Sequence, residues 1–148
     1  MPATITCATP ADLPAILDLL RRSELPPDGL AAHVDTAVVA RENGQLVGCA
    51  AVELYGESAL LRSVAVDAPV RGTGLGHALT AAALDLARAR GARTAYLLTT
   101  TAASYFPRFG FAPISRDAVD PAVQRSVEFT TSCPASATVM RATLMAEG

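Results

Sequence analysis

Apolar and polar positions change rhythm most sharply between Leu60 and Arg90. Leu60 to Val66, LLRSVAV, is apolar and partly β-branched with a single charge, the pattern of a largely buried strand. Asp67 to Pro69 then turns the chain, and Arg71-Gly72-Thr73-Gly74-Leu75-Gly76 follows. Beyond it Leu75, Leu79, Ala82 and Leu86 recur at helical spacing until Gly91, which predicts a helix over about Leu75 to Ala89 with that stripe buried. A strand therefore feeds a glycine-rich turn that becomes a helix N-terminus. Backbone N–H groups there lack intrahelical acceptors and sit at the positive end of the dipole, so the turn suits an anion, most naturally a phosphate.

The remaining rhythm reads as a sheet with helices packed on it. Ile5 to Ala8 is a short strand, Thr9-Pro10-Ala11-Asp12 has the form of a capping box, and Leu13, Ile16, Leu17 and Leu20 recur on one helical face. Glu24 to Asp28, ELPPD, ends that helix, and Gly29 to Val34 reads as a short second one, on which His33 is expected at the surface, with a position facing a cleft as the alternative. Thr36 to Arg41 and Leu46 to Tyr55 are strands joined through Asn43-Gly44, the strongest short hairpin signal. Ala59 to Val66 is the central strand, and Thr94 to Thr100 lies parallel to it after the helix. Ala102 to Phe109 is a short helix closed by Gly110, and Asp117, Asp120 and Pro121 punctuate the segment Ala112 to Arg125. Val127 to Thr131 and Ala137 to Leu144 read as a closing strand pair. Glu53 and Arg62 are isolated charges in apolar strands, which are costly unless paired or facing a cleft. Pairing across adjacent strands and lining an acceptor pocket are both open readings, and they are compatible.

With 148 residues, 51% hydrophobic and 18% charged, the chain 1–148 forms one domain with one core, and extended disorder is not expected. A net charge of −2 and a pI near 5.6 argue against a nucleic-acid partner. No apolar run is long enough to cross a bilayer and no leader pattern precedes the first strand, so the expectation is no membrane partner and a cytoplasmic location. Cys7, Cys49 and Cys133 lack metal or disulfide spacing and the two His are isolated, so no metal is expected. All twelve basic residues are Arg.

That last fact narrows the phosphate ligand. A Walker-type loop needs Lys where His77 stands, and G-x-G-x-x-G spacing would need Gly at position 77 or 79, which hold His77 and Leu79. The pattern present is R-x-x-G-x-G, Arg71 to Gly76, directly after Val64-Ala65-Val66. It resembles the acyl-CoA pyrophosphate loop of the GNAT superfamily of N-acetyltransferases. Ala102 to Phe111, AASYFPRFGF, resembles the second signature of that superfamily, with one departure: counted back from Gly110, the general-acid tyrosine position holds Phe106, and Tyr105 precedes it. Glu128 to Met140, with LLRS at Leu60 to Ser63 and LLTTTA at Leu97 to Ala102, resembles a small GNAT subgroup associated with arsenic-resistance operons. A free Cys133 alone cannot form a multi-thiolate metalloid site, and a buried structural role is expected for it.

The resemblance implies an α/β (α+β) fold with a mixed central sheet of about six to seven strands flanked by helices, and acetyl-CoA as co-substrate. It implies that Arg71, Gly72, Thr73, Gly74, Leu75, Gly76 and Ala78 hold the pyrophosphate, with Val64, Ala65 and Val66 along the pantetheine arm and Thr99 and Phe106 on the facing wall. The implied reaction moves acetyl to the primary amine of a small, amino-acid-like or toxic acceptor by direct attack in a ternary complex. Glu53, acting through water, is the candidate base, and Tyr105 or solvent protonates the CoA thiolate. Arg62 and Ser63 would meet a polar or anionic part of the acceptor, since the guanidinium fork suits carboxylate, phosphinate or arsinate. Two alternatives stand beside this: a CoA-binding sensor without turnover, motivated by Phe106, and a protein N-acetyltransferase. A homodimer through the edge strands near Val127 to Leu144 is a further expectation.

Overall fold

A computed structural model describes residues 3–100, 102–126, 128–132 and 136–144. Seven strands form one sheet in the order β1-β2-β3-β4-β5-β7-β6: β1 (Thr4–Cys7), β2 (Ala37–Glu42), β3 (Gln45–Tyr55), β4 (Ser58–Val66), β5 (Thr94–Thr99), β6 (Ala112–Pro113) and β7 (Thr138–Thr143). Only β4 and β5 run parallel, joined by the long helix as the strand-helix-strand pattern requires. Alternation along the strands divides the core between the two faces. Val38 and Ala40 face helix α2 (Leu75–Ala89), while Ala37 and Val39 face helix α1 (Leu13–Arg22) and its Ile16, Leu19 and Leu20. Leu60, Tyr96, Val119, Val123 and Val139 form a third cluster beneath the segment that follows β6.

Local signals land where the sequence puts them. Thr9 and Asp12 form the capping box ahead of α1, although its first turn, Pro10–Asp12, is 3-10. Asn43 and Gly44 both take positive φ, 54° and 80°, as the two-residue hairpin demands. The stretch from Gly29 forms a 3-10 helix, Leu30–Thr36.

Three expectations change. The buried face of α2 is Leu79, Thr80, Ala83, Leu84 and Ala87, with Leu75, Ala82 and Leu86 only partly covered. The helix is apolar nearly all round, so its small residues turn to the sheet and let it approach closely, and Thr80 can be buried because its hydroxyl donates to Gly76 C=O at 2.8 Å. Val127 itself lies outside the described residues, but Glu128–Ser132 is a π-helical turn instead of a strand. Phe129 and Thr130 both donate their N–H to Ser126 C=O, each at 3.0 Å, and Phe129 packs on the third core cluster. β7 therefore pairs with β5 on one side and with β6 across Met140 and Arg141 on the other. The edge expected to carry a dimer is covered at its middle. Among the described residues, no helix is long and apolar enough to cross a membrane.

Candidate active site

β4 departs from regular pairing at Ser63. Between the pairs Cys49↔Ala65 and Ala51↔Arg62 the register shifts, and Ser63 adopts φ 61°, a left-handed conformation inside a strand. Such a bulge bends its strand, and holding an L-residue there costs about 1–2 kcal/mol. The Cys49 thiol, buried and pushed up to a pKa of about 12 by that burial, donates to Ser63 C=O at 3.2 Å and so supports the bend. On its other side β4 pairs with β5 only at Ser58↔Thr94, Ala59↔Ala95 and Leu60↔Tyr96. Beyond Leu60 the two strands part, leaving a cleft of about 660 Å³.

One end of the cleft is the glycine loop. The first intrahelical bond of α2 is Ala78 N–H to Gly74 C=O at 3.1 Å, so the N–H groups of Leu75, Gly76 and His77 precede the ladder. Gly74 is the N-cap at φ 85° and carries no side chain, and a Cβ built on it would meet no protein atom within 4 Å. Gly72 is equally open, and both line the cleft with Gly76, His77 and Arg71. Arg71 folds back, its Nε donating to Val66 C=O at 2.8 Å. Unmatched helix N–H groups, bare glycine surfaces and basic side chains fit a pyrophosphate.

The loop residues do not all converge. Thr73, Leu75 and Ala78 face a smaller depression on the other side with Ile5, Glu42 and Val70, and the Thr73 hydroxyl donates to Val70 C=O at 2.7 Å. Along the middle, Val64 and Val66 line the cleft and Ala65 turns its side chain into the α1 core. Thr99, Ala102, Tyr105 and Phe106 form the opposite wall, with the Thr99 hydroxyl accepting from Ala102 N–H at 2.9 Å.

At the far end the charges expected in β3 and β4 meet. Arg62, its side chain 0% exposed, donates from Nη1 to Glu53 at 2.7 Å, from Nε to Ser63 Oγ at 3.0 Å and from Nη2 to Pro26 C=O at 3.2 Å. Glu128 brings a second carboxylate to within 3.4 Å of the same Nη2. Arg62, Ser63, Pro26 and Glu128 line the cleft, whereas Glu53 lies behind Arg62 at 1% exposure. The Tyr55 hydroxyl donates to Glu53 Oε1, and His33 Nε2 stands 3.8 Å from the same oxygen. His33 is thus half-buried in this network, where the sequence suggested a surface position. Burial alone would raise the Glu53 pKa, but bonds from Ser126, Tyr55 and Arg62 and the charge of His33 outweigh it and hold the carboxyl below its ordinary 4.5. Burial, with the bond to Glu53, pushes the Tyr55 hydroxyl up to about 12.

A depressed carboxyl pKa stabilises the fold above the unfolded value and loses that contribution as pH falls through the folded one. The melting temperature should therefore drop below about pH 4.5. Glu53→Gln should melt lower than wild type at neutral pH and show a shallower acid decline; an unchanged decline in thermal melts would mean Glu53 is not held ionised.

Sequence reasoning passed over Leu25, Pro26, His77 and Arg108, all of which line the cleft, and assigned no role to Glu128. Only Glu128 had a legible signal, because an Arg in a buried strand calls for carboxylate partners. Cys133 lies outside the described residues.

The acetyltransferase (GNAT) domain family model matches residues 33–113, from the 3-10 helix before β2 through β6. The chain belongs to the GNAT acetyltransferase family. An amino-acid acetyltransferase of Aeromonas salmonicida is 30% identical over 118 residues, 72% of this GNAT chain and 26% of the relative, so the chain spans about a quarter of that protein. N-acetylglutamate synthase of Neisseria gonorrhoeae, complexed with coenzyme A and N-acetyl-glutamate, superposes with a TM-score of 0.84 at 23% identity, over 97% of this chain and 35% of that one. Rv2747 of Mycobacterium tuberculosis, in complex with CoA, superposes at 0.81 and 26% identity over 96% and 99% of the two chains. The mixed seven-stranded sheet is the GNAT fold.

Within this GNAT site the aromatic substitution has a definite geometry. Phe106 is buried at 8% exposure, edge-on to Phe111 with ring centroids 6.0 Å apart, and offers no hydroxyl. The Tyr105 hydroxyl stands at the glycine loop, 3.8 Å from where a Cβ on Gly76 would lie, with Arg108 over its ring at 4.2 Å. Among the described residues no group of three or more His, Cys, Asp or Glu could hold a metal ion.

Proposed function

We propose that the chain transfers the acetyl group of acetyl-CoA to the primary amine of a small, amino-acid-like acceptor by direct attack in a ternary complex. One observation carries this: a single cleft joins the glycine loop at the start of α2 at one end to a buried charged cluster at the other, with parted strands between them. In this reading Arg71 and the N–H groups at the start of α2 hold the pyrophosphate. The backbone of Val64 to Val66 pairs with the pantetheine arm and polarises the thioester oxygen, and Thr99 and Phe106 close the facing side. Ser63 and Arg62 meet the polar part of the acceptor, and Glu53 behind them keeps Arg62 aimed at the cleft. The amino-acid acetyltransferase relative supports an amino-acid-like acceptor. The subgroup pattern in the sequence extends this to toxic analogues bearing phosphinate or arsinate, which would make the reaction a detoxification.

The test is release of free CoA thiol from acetyl-CoA with α-amino acids carrying carboxylate, phosphinate or arsinate side chains. Acceptor-dependent release is expected. Tight acetyl-CoA binding without release for any acceptor would favour a CoA sensor, consistent with Phe106 at the acid position.

Tyr105 stands near the phosphate end, and CoA thiolate leaves readily near neutral pH. Tyr105→Phe should therefore lower kcat by less than about tenfold, where loss of a positioned acid costs roughly a hundredfold. A drop of the larger size, confined to kcat, would make Tyr105 the acid.

A further inference from the structure

Arg62 and Glu128 form an ion pair in the buried cluster, and both line the cleft. Arg62 is anchored independently of it, by Glu53 at 2.7 Å, Ser63 at 3.0 Å and the Pro26 carbonyl at 3.2 Å. The Glu128 contact is the longest of the set at 3.4 Å, and Glu128 opens the turn Glu128–Ser132. That turn is held in place by Phe129, which packs on the third core cluster and lies under the Arg116 guanidinium at 5.5 Å. Arg62 and Glu128 therefore present a guanidinium and a carboxylate side by side to the cleft. An ammonium arriving beside Glu128 meets a carboxylate in a setting poor in water, where opposite charges attract strongly.

We infer that the Arg62–Glu128 pair holds the place of a zwitterionic acceptor, and that Glu128 is the catalytic residue that binds its ammonium group and removes the proton. This rests on the acetyltransferase reading above. An acceptor carrying an ammonium and a nearby anionic group presents the complement of both partners. Its anion takes the Arg62 Nη2 face and its ammonium takes Glu128, so neither buried charge loses a partner on exchange. Glu128 accepts one proton from the ammonium. The neutral nitrogen attacks the thioester carbonyl, the C–N bond forms and the C–S bond breaks, and the electron pair leaves with sulfur. The second surplus nitrogen proton goes to the thiolate through solvent, giving amide and CoA thiol, and Glu128 returns its proton to water. Glu53, shielded behind Arg62, becomes a positioning residue for the guanidinium.

The experiment measures CoA thiol release for wild type, Glu128→Gln and Glu128→Asp with the fastest amino acid of the panel and with the matched amine lacking its α-carboxylate. Glu128→Gln should lose about a hundredfold in kcat/KM for the acceptor near pH 7, and the deficit should shrink by about pH 9 as more amine is already neutral. Glu128→Asp should recover part of the rate, the matched amine should react far more slowly in wild type, and acetyl-CoA affinity by calorimetry should stay within about twofold in both variants, which also reports their folding. An undiminished Glu128→Gln rate, or a loss equal at every pH, would overturn the role of Glu128 and leave the acetyltransferase reading standing. Equal turnover of amino acid and matched amine would overturn the zwitterion. Wild-type protein that turns over no acceptor would overturn both.

Discussion

Gly74→Val should abolish acetyl-CoA binding while the domain still folds. Two separate properties of the position produce this. Its φ of 85° is strained for any residue with a Cβ, most of all a β-branched one, at a cost of roughly 1–2 kcal/mol. That is affordable within a domain stability of about 5–15 kcal/mol. The surroundings are also empty of protein, since a Cβ there meets nothing within 4 Å, so added bulk breaks no packing and projects into the cleft mouth beside the free N–H groups of α2. Gly74→Asn separates the two effects, because Asn tolerates the left-handed region and still adds bulk. Both variants should lose at least about a hundredfold in affinity by calorimetry, or roughly 2.7 kcal/mol, with Asn melting close to wild type. Binding within tenfold of wild type in the Asn variant would remove the phosphate assignment of Arg71 to Gly76.

The largest loss of stability is expected from Arg62→Met. Met keeps the apolar stem of the side chain but removes the guanidinium that Glu53 and Glu128 share, together with its bonds to the Pro26 carbonyl and the Ser63 hydroxyl. Removing one partner of a buried ion pair costs about 3–5 kcal/mol, more than a typical surface change by a wide margin. For a chain of this size that is a fall of about 10 °C or more in melting temperature. The sign of the cause can be checked by adding Glu53→Gln to Arg62→Met. Neutralising the orphaned carboxylate should restore much of the loss, so the two changes should be strongly non-additive. Additive losses, or a fall below about 1 kcal/mol for Arg62→Met alone, would mean the guanidinium is solvated and the cluster is not a buried network.

How much of this was readable beforehand depended on the range of the interaction. The hairpin at Asn43-Gly44, the capping box at Thr9 and Asp12 and the strand-loop-helix from Leu60 to Ala89 are written in a few adjacent residues, because backbone conformation responds to its immediate neighbours. The R-x-x-G-x-G spacing pointed to the proposed phosphate end for the same reason: helix N–H groups and bare glycines can form an anion site without help from distant residues. The acceptor end was legible only as a demand. Arg62 in an apolar strand required partners, but one of them stands 66 positions later in a segment whose pattern read as a strand. The bulge at Ser63, the inward position of Glu53 and the placement of β7 between β5 and β6 likewise depend on which strands meet and in what register. By itself, then, the sequence determined the local elements, the family and the strand-loop-helix that carries the glycine loop; tertiary packing decided which carboxylate reaches the cleft, because a buried charge is satisfied by whatever the fold brings beside it.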